Sequence, residues 1–118
     1  AGGLLRLPRL IPPRIAMELA LTGDMLDAER AAALGLVNIV TEPGQALAEA
    51  RRLAARIIAN APLSVAVSKR VLVEQRDWPL DEMFARQQAL TGPVIASEDA
   101  REGAAAFAEK RAPNWKGR

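Results

Sequence analysis

Apolar positions recur along the chain at intervals of three and four, broken repeatedly by Gly and Pro, and this pattern predicts a string of short helices. Ala1-Gly2-Gly3 reads as a turn that opens a short apolar helix carrying Leu4, Leu5, Leu7 and Leu10. Such a start leaves backbone N–H groups and the positive end of a helix dipole facing whatever lies before it. Pro12-Pro13 interrupts the pattern, and Ile15, Met17, Leu19 and Leu21 then mark a helix over 13–21, stopped at Thr22-Gly23. Asp27 is placed to cap a helix over 28–34, with Glu29 in its first turn and Gly35 where a left-handed residue ends a helix. Leu36-Val37-Asn38-Ile39-Val40 is the one stretch that reads as a strand, ended by Glu42-Pro43-Gly44.

The longest helix is predicted over 44–59, where Leu47, Ala50, Leu53, Ala54, Ile57 and Ile58 make one apolar stripe and Arg51, Arg52 and Arg56 sit on or beside the wetter side. Asn60-Ala61-Pro62 breaks it, and Pro62 suits the first turn of a helix over 62–76. Asp77-Trp78-Pro79 punctuates again. Leu80, Met83, Phe84, Gln87 and Leu90 trace the next helix, expected to fail near Gly92-Pro93. Ser97 caps a last helix with Glu98 and Asp99 in its first turn, where Ala100, Gly103, Ala104, Phe107 and Ala108 form a narrow face of small residues around one ring. Ala112-Pro113 is the expected stop before a basic tail. The fold class is therefore mainly α with one short strand.

Composition narrows the chemistry. In 118 residues, half are apolar but only 3% aromatic, which favours closely packed helices over a β-sandwich. The net charge of +2 interleaves 16 basic with 14 acidic residues, and no basic block runs unbroken. A solvated, salt-bridged surface explains that balance better than a nucleic-acid patch. There is no Cys for disulfide or thiolate chemistry, and no His as general base or metal ligand. No apolar run reaches the roughly 18 residues needed to cross a bilayer, and no signal peptide is visible, which points to the cytoplasm.

The acidic residues sit at caps, in loops or on polar helix faces. Glu18, flanked by Met17 and Leu19, is the mild exception. Ser64 and Ser68 lack a base. Gly2-Gly3, without a strand before it or a Lys-Ser or Lys-Thr after it, does not make a phosphate loop. Nothing has metal-ligand spacing. Phe107 and Lys110, three apart, would be neighbours on one helical face, where a ring could stack on an adenine while the ammonium meets a phosphate. The competing reading makes Phe107 a core anchor and Lys110 a plain surface charge.

Four segments carry a family resemblance. Gly2-Gly3-x-x-Arg6-Leu7-Pro8-Arg9, Ala16-Met17-Glu18-Leu19-x-Leu21-Thr22-Gly23, Ala31-x-x-Leu34-Gly35-Leu36-Val37-Asn38 and Asp99-x-x-Glu102-Gly103-x-x-Ala106-Phe107-x-Glu109-Lys110-Arg111 resemble, in order and spacing, the crotonase superfamily of enoyl-CoA hydratases and isomerases. Together they span essentially the whole chain. The resemblance implies the C-terminal helical, trimerisation region of a crotonase-like α/β fold. Residues 1–43 would end the spiral core, and 44–118 would form a helical oligomerisation region.

In that family, an upstream spiral supplies two N–H groups that hold the thioester oxygen, and upstream carboxylates act as acid and base. None of these matches a position in this chain. The resemblance places Ala1, Gly2 and Gly3 at the border of the active site, and Phe107 and Lys110 beside the CoA nucleotide, often across a subunit boundary. It implies an acyl-CoA substrate, no separate cofactor or metal, and a homo-oligomer, either a trimer or a dimer of trimers, with no nucleic acid or membrane partner. Leu4-Leu5 departs from the family's frequent Thr-Gln, which leaves substrate preference open, and Pro12-Pro13 departs from Val-Gly.

With no initiator Met and no strand ahead of the opening turn, the chain is expected to be the tail of a longer protein and inactive alone. The expected parent reaction is hydration of a 2-enoyl-CoA, and other crotonase reactions share such a tail. Two further classes stay open: a non-catalytic helical oligomerisation module, and a small basic nucleic-acid binder. Removed from partner layers, such a tail should expose much apolar surface.

Overall fold

A computed structural model describes residues 1–118. Seven α-helices succeed one another in order: α1 (Gly3–Arg6), α2 (Pro13–Thr22), α3 (Ala28–Ala33), α4 (Ala46–Ile58), α5 (Pro62–Glu74), α6 (Met83–Ile95) and α7 (Glu98–Glu109). Short 3-10 turns extend α1 through Leu7–Arg9 and α5 through Gln75–Asp77. Backbone contacts divide the chain into two units, Ala1–Ala50 and Arg51–Arg118, with the division falling inside α4.

In the first unit α1 and α2 both pack on the 3-10 turn that joins them. The opening helix does not run on to Leu10 as its leucines suggest. Pro8 cannot donate to the ladder and its ring crowds the carbonyl four residues back, so the α geometry tightens to 3-10 after Arg6. Ile11, Ala16 and Ala31 are the buried side chains of this unit. Asp27 caps α3 as predicted, its carboxylate accepting from the Arg30 N–H at 2.7 Å. Gly35 takes a φ of 75°, which lets the Leu36 N–H turn back to the Ala31 oxygen at 2.9 Å and close the helix end.

The expected strand over Leu36–Val40 does not form, and the chain has no strand at all. Its β-branched residues suit a pleated surface, but a strand exists only through ladder bonds to a neighbour, and no second strand is there to supply them. The segment leaves α3 as turns and bends.

In the second unit α5 packs on α6 and α6 on α7. Pro93 does not end α6, which continues to Ile95. The missing N–H falls in the last turn, where only one ladder bond is lost, and the Ala96 N–H still reaches the Gly92 oxygen at 3.1 Å. Ser97 caps α7, accepting from the Ala100 N–H at 3.0 Å. The buried residues here are Ala106 and Asp99, the latter a charged group. Leu72, Leu80, Phe84, Ile95 and Phe107 remain largely exposed, as do Leu4, Leu5, Leu21 and Met25 in the first unit. The expected apolar surface is there: the stripes form, and most of their large side chains face outward.

Candidate functional site

The opening turn depends on Gly2. Its φ of 82° is left-handed, and it caps α1 with no side-chain help. The Leu5 and Arg6 N–H groups close on the Gly2 oxygen at 3.2 and 3.1 Å, and the Arg6 guanidinium folds back to the Ala1 oxygen at 2.7 Å. Ala1, Gly2 and Gly3 are thus held together as one short turn, with Ala1 and Gly3 exposed. Beside it, Leu4, Leu7, Pro13, Ala16, Met17 and Leu21 line an apolar groove of about 240 Å³.

Phe107 and Lys110 lie at the end of α7, in the second unit. Phe107 is 88% exposed, so it is not a core anchor of this chain. The small residue before it, Ala106, takes the buried place. Lys110 lies just past the helix, the one non-glycine residue with positive φ (54°), and its ammonium is exposed and makes no ion pair. The sequence pattern treats Phe107 and Lys110 as helical neighbours. The structure instead swings Lys110 out of the helical path at its left-handed backbone.

Beyond Lys110, the tail is tied back onto α7. The Arg111 N–H donates to the Ala106 oxygen at 3.0 Å and the Lys110 N–H to the Phe107 oxygen at 3.3 Å, the paired bonds of a left-handed helix stop. The Arg111 guanidinium grips Glu102 with two bonds, at 2.6 and 3.0 Å, and a third reaches Glu109 at 2.5 Å. Glu102 also accepts from the Asn114 N–H at 2.7 Å. The Arg111 fork and this backbone donor hold the Glu102 carboxyl down at about 2, well below its ordinary value. Arg111 is correspondingly pushed up by Glu102 and Glu109.

The tail continues to Asp99, 2% exposed, whose two oxygens accept from the Lys116 N–H at 2.7 Å and the Gly117 N–H at 2.9 Å. The Asp99 N–H in turn donates to the Arg118 oxygen at 3.0 Å. Sequence pattern reads Asp99 as a first-turn acid favoured by the dipole and misses this role. The spacing Asp99-x-x-Glu102, one turn apart on α7 and succeeded by Lys110-Arg111, was the available signal.

Several of the other candidate carboxylates are engaged in surface pairs. Glu18 is exposed and meets Arg30 at 3.3 Å. Glu74 and Glu82 pair with Arg70 and Arg86 on their own helical faces. Ser64 and Ser68 are exposed without a partner base. No helix is long and apolar enough to cross a membrane.

Solved enoyl-CoA hydratases share this arrangement of helices. One from Mycobacterium tuberculosis superposes with a TM-score of 0.95 at 59% identity, covering 99% of this chain and 46% of that one. A second, from Mycobacterium marinum, gives a TM-score of 0.95 at 60% identity with the same coverage. Among curated relatives, the carnitinyl-CoA dehydratase of Salmonella typhi is 43% identical over 122 residues, covering all of this chain and 47% of its own length. The chain thus spans about half the length of the relatives it matches, and corresponds to the C-terminal helical part of the crotonase fold. The model of the enoyl-CoA hydratase/isomerase family matches residues 1–118 from end to end, and the chain belongs to that family.

Proposed function

We propose that this chain is the C-terminal segment of an enoyl-CoA hydratase/isomerase-like enzyme that acts on acyl-CoA thioesters in the cytoplasm, and that the segment alone is inactive. The observation that carries the reading is at the end of α7, where the Phe107 ring is exposed for stacking and Lys110, three residues on, has an exposed ammonium without an ion pair. Phe107 would lie against the adenine and Lys110 would meet a phosphate of coenzyme A. Ala1, Gly2 and Gly3 would border the reacting end of the substrate. Coenzyme A arrives as part of the substrate, and no separate cofactor is invoked.

The reaction adds water across a double bond conjugated to the thioester. Hydroxyl joins the β-carbon, a proton joins the α-carbon, and the thioester oxygen carries the charge between those events. Dehydration of a carnitinyl-CoA, as in the curated relatives' name, is the same chemistry run backward. Acid, base and oxyanion donors would come from a spiral half outside residues 1–118, because Asp99 and Glu102 are committed to the tail and the other carboxylates lie in exposed caps and pairs.

A crotonyl-CoA and carnitinyl-CoA panel tests the reading. The enzyme as its source cell makes it, expected well above 12.7 kDa, should hydrate or dehydrate one of them, and residues 1–118 alone should do neither. Turnover by the segment alone would overturn the inactivity.

The exposed stripes favour a second reading, a non-catalytic helical module that assembles with copies of itself as a trimer or a dimer of trimers. A natural product of 12.7 kDa that self-associates in sedimentation and binds no acyl-CoA would select it.

A further inference from the structure

We infer that the Glu102–Arg111 clasp is a positioning device that holds Lys110 in its left-handed conformation and so aims the ammonium at the nucleotide phosphate. The inference rests on the reading of Phe107 and Lys110 as the nucleotide contact.

A lysine is out of place at this backbone position. Left-handed geometry brings the Cβ of an L-residue against the next carbonyl, and helix stops of this type ordinarily use Gly. Strain of this kind persists only where surrounding bonds over-determine the conformation. Here they do. The chain leaves α7 at Glu109, turns at Lys110, and is pinned on the far side by Arg111. Two bonds run from that guanidinium to Glu102, nine residues back, and the Asn114 N–H joins the same carboxylate. With both ends of the turn tied to one helix, residue 110 has no room to relax into the helical region. Its side chain is what remains free, exposed and unpaired while every neighbouring charge in the clasp is matched. A planar fork on a carboxylate fixes direction as well as distance, which a single point charge would not.

Residues 1–118 hold three lysines, at 69, 110 and 116, and in the longer enzyme the Lys110 signal of a lysine-selective isotope label is identified by its absence in Lys110→Ala. The enzyme as its source cell makes it would be compared with Arg111→Ala, Arg111→Lys and Trp115→Phe, the last weakening the tail without touching the clasp. One readout is the amide–Hα coupling and Cα shift of Lys110. The other is affinity for 3′-phosphoadenosine 5′-diphosphate, the nucleotide half of coenzyme A, by calorimetry.

Arg111→Ala should erase the left-handed signature and weaken nucleotide binding roughly two- to fivefold, the worth of one exposed ion pair. Arg111→Lys should recover part of both. Trp115→Phe should lower the melting temperature and change neither. A left-handed Lys110 that survives Arg111→Ala, or equal loss of affinity in Trp115→Phe, would overturn the positioning role. Binding that is absent in the wild type, or indifferent to Lys110→Ala, would instead sink the nucleotide reading, while the coupling constant still reports whether the clasp sets the backbone.

Discussion

The indole N–H of Trp115 donates to the main-chain oxygen of Ala59 at 2.9 Å, joining the tail to the end of α4 across 56 positions of sequence. The same ring covers Gly103 on α7: a Cβ built there would lie 3.2 Å from the edge of the indole. One aromatic residue thus ties the end of one helix to the middle of another, and the narrow face of small residues on α7 is its seat. The bond is expected to be worth about 1 kcal/mol, so Trp115→Phe should lower unfolding free energy by that amount in denaturant titrations.

Gly103→Ala sets two effects against each other. Alanine gains up to about 1 kcal/mol of helix propensity, but its methyl presses the indole. The substitution should stabilise clearly more in a Trp115→Phe background, where the shorter ring leaves space, than in the wild type. A double-mutant cycle with no coupling would mean that the ring does not rest on α7.

Asp99 satisfies two tail N–H groups from a buried position. Asp99→Ala leaves both donors without their charged acceptor and is expected to cost roughly 2–3 kcal/mol. Amide exchange at Lys116 and Gly117 should accelerate more than exchange in α5.

Glu102 has a pH signature of fixed sign. Its carboxyl is held at about 2 in the folded chain against an ordinary 4.5, so the folded state binds its proton less readily than the unfolded state. The stabilisation is therefore fully present above the ordinary value and fades as pH falls from there toward about 2. The difference in melting temperature between wild type and Glu102→Gln should be largest near neutral pH and shrink across that acid range. The exposed clasp should also weaken with salt.

Lys110→Gly removes the steric cost of φ 54°. The variant is expected to be more stable by up to about 1 kcal/mol, since Gly favours this geometry but loses more chain entropy on folding. Nucleotide affinity should fall in the same variant. Stability gained and binding lost in one substitution would be the mark of a residue kept for its side chain.

Local chemistry was legible along the chain, and long-range chemistry was not. Asp27, Ser97 and Gly35 announce helix ends because a cap needs only residues within a turn of itself. Leu36–Val40 misleads for the converse reason: β propensity describes a residue's fitness for a sheet, while the sheet depends on a partner that is not there. The three-residue spacing of Phe107 and Lys110 suggests helical neighbours, but Lys110 is the left-handed residue just past the end of α7. The left-handed break between them and the bonds from Asp99 and Glu102 to residues 111–117 were not legible, because those partners lie nine to eighteen positions away. Family resemblance supplied what periodicity could not, since four weak segments in fixed order constrain more than any one of them.

Ile11, Ala16, Ala31 and Ala106 are the buried apolar residues, and three of the four are alanines. Little of this chain's apolar area leaves water through its own packing, and the assembly proposed above would bury more of it. Under that proposal folding and assembly become one equilibrium, whose midpoint should move with protomer concentration in the way a ligand moves the melting point of its receptor. Ile58→Glu, on the exposed stripe of α4, should melt below the wild type at high protein concentration and show no concentration dependence. Under the same proposal, dilution itself would act as a denaturant for this polypeptide.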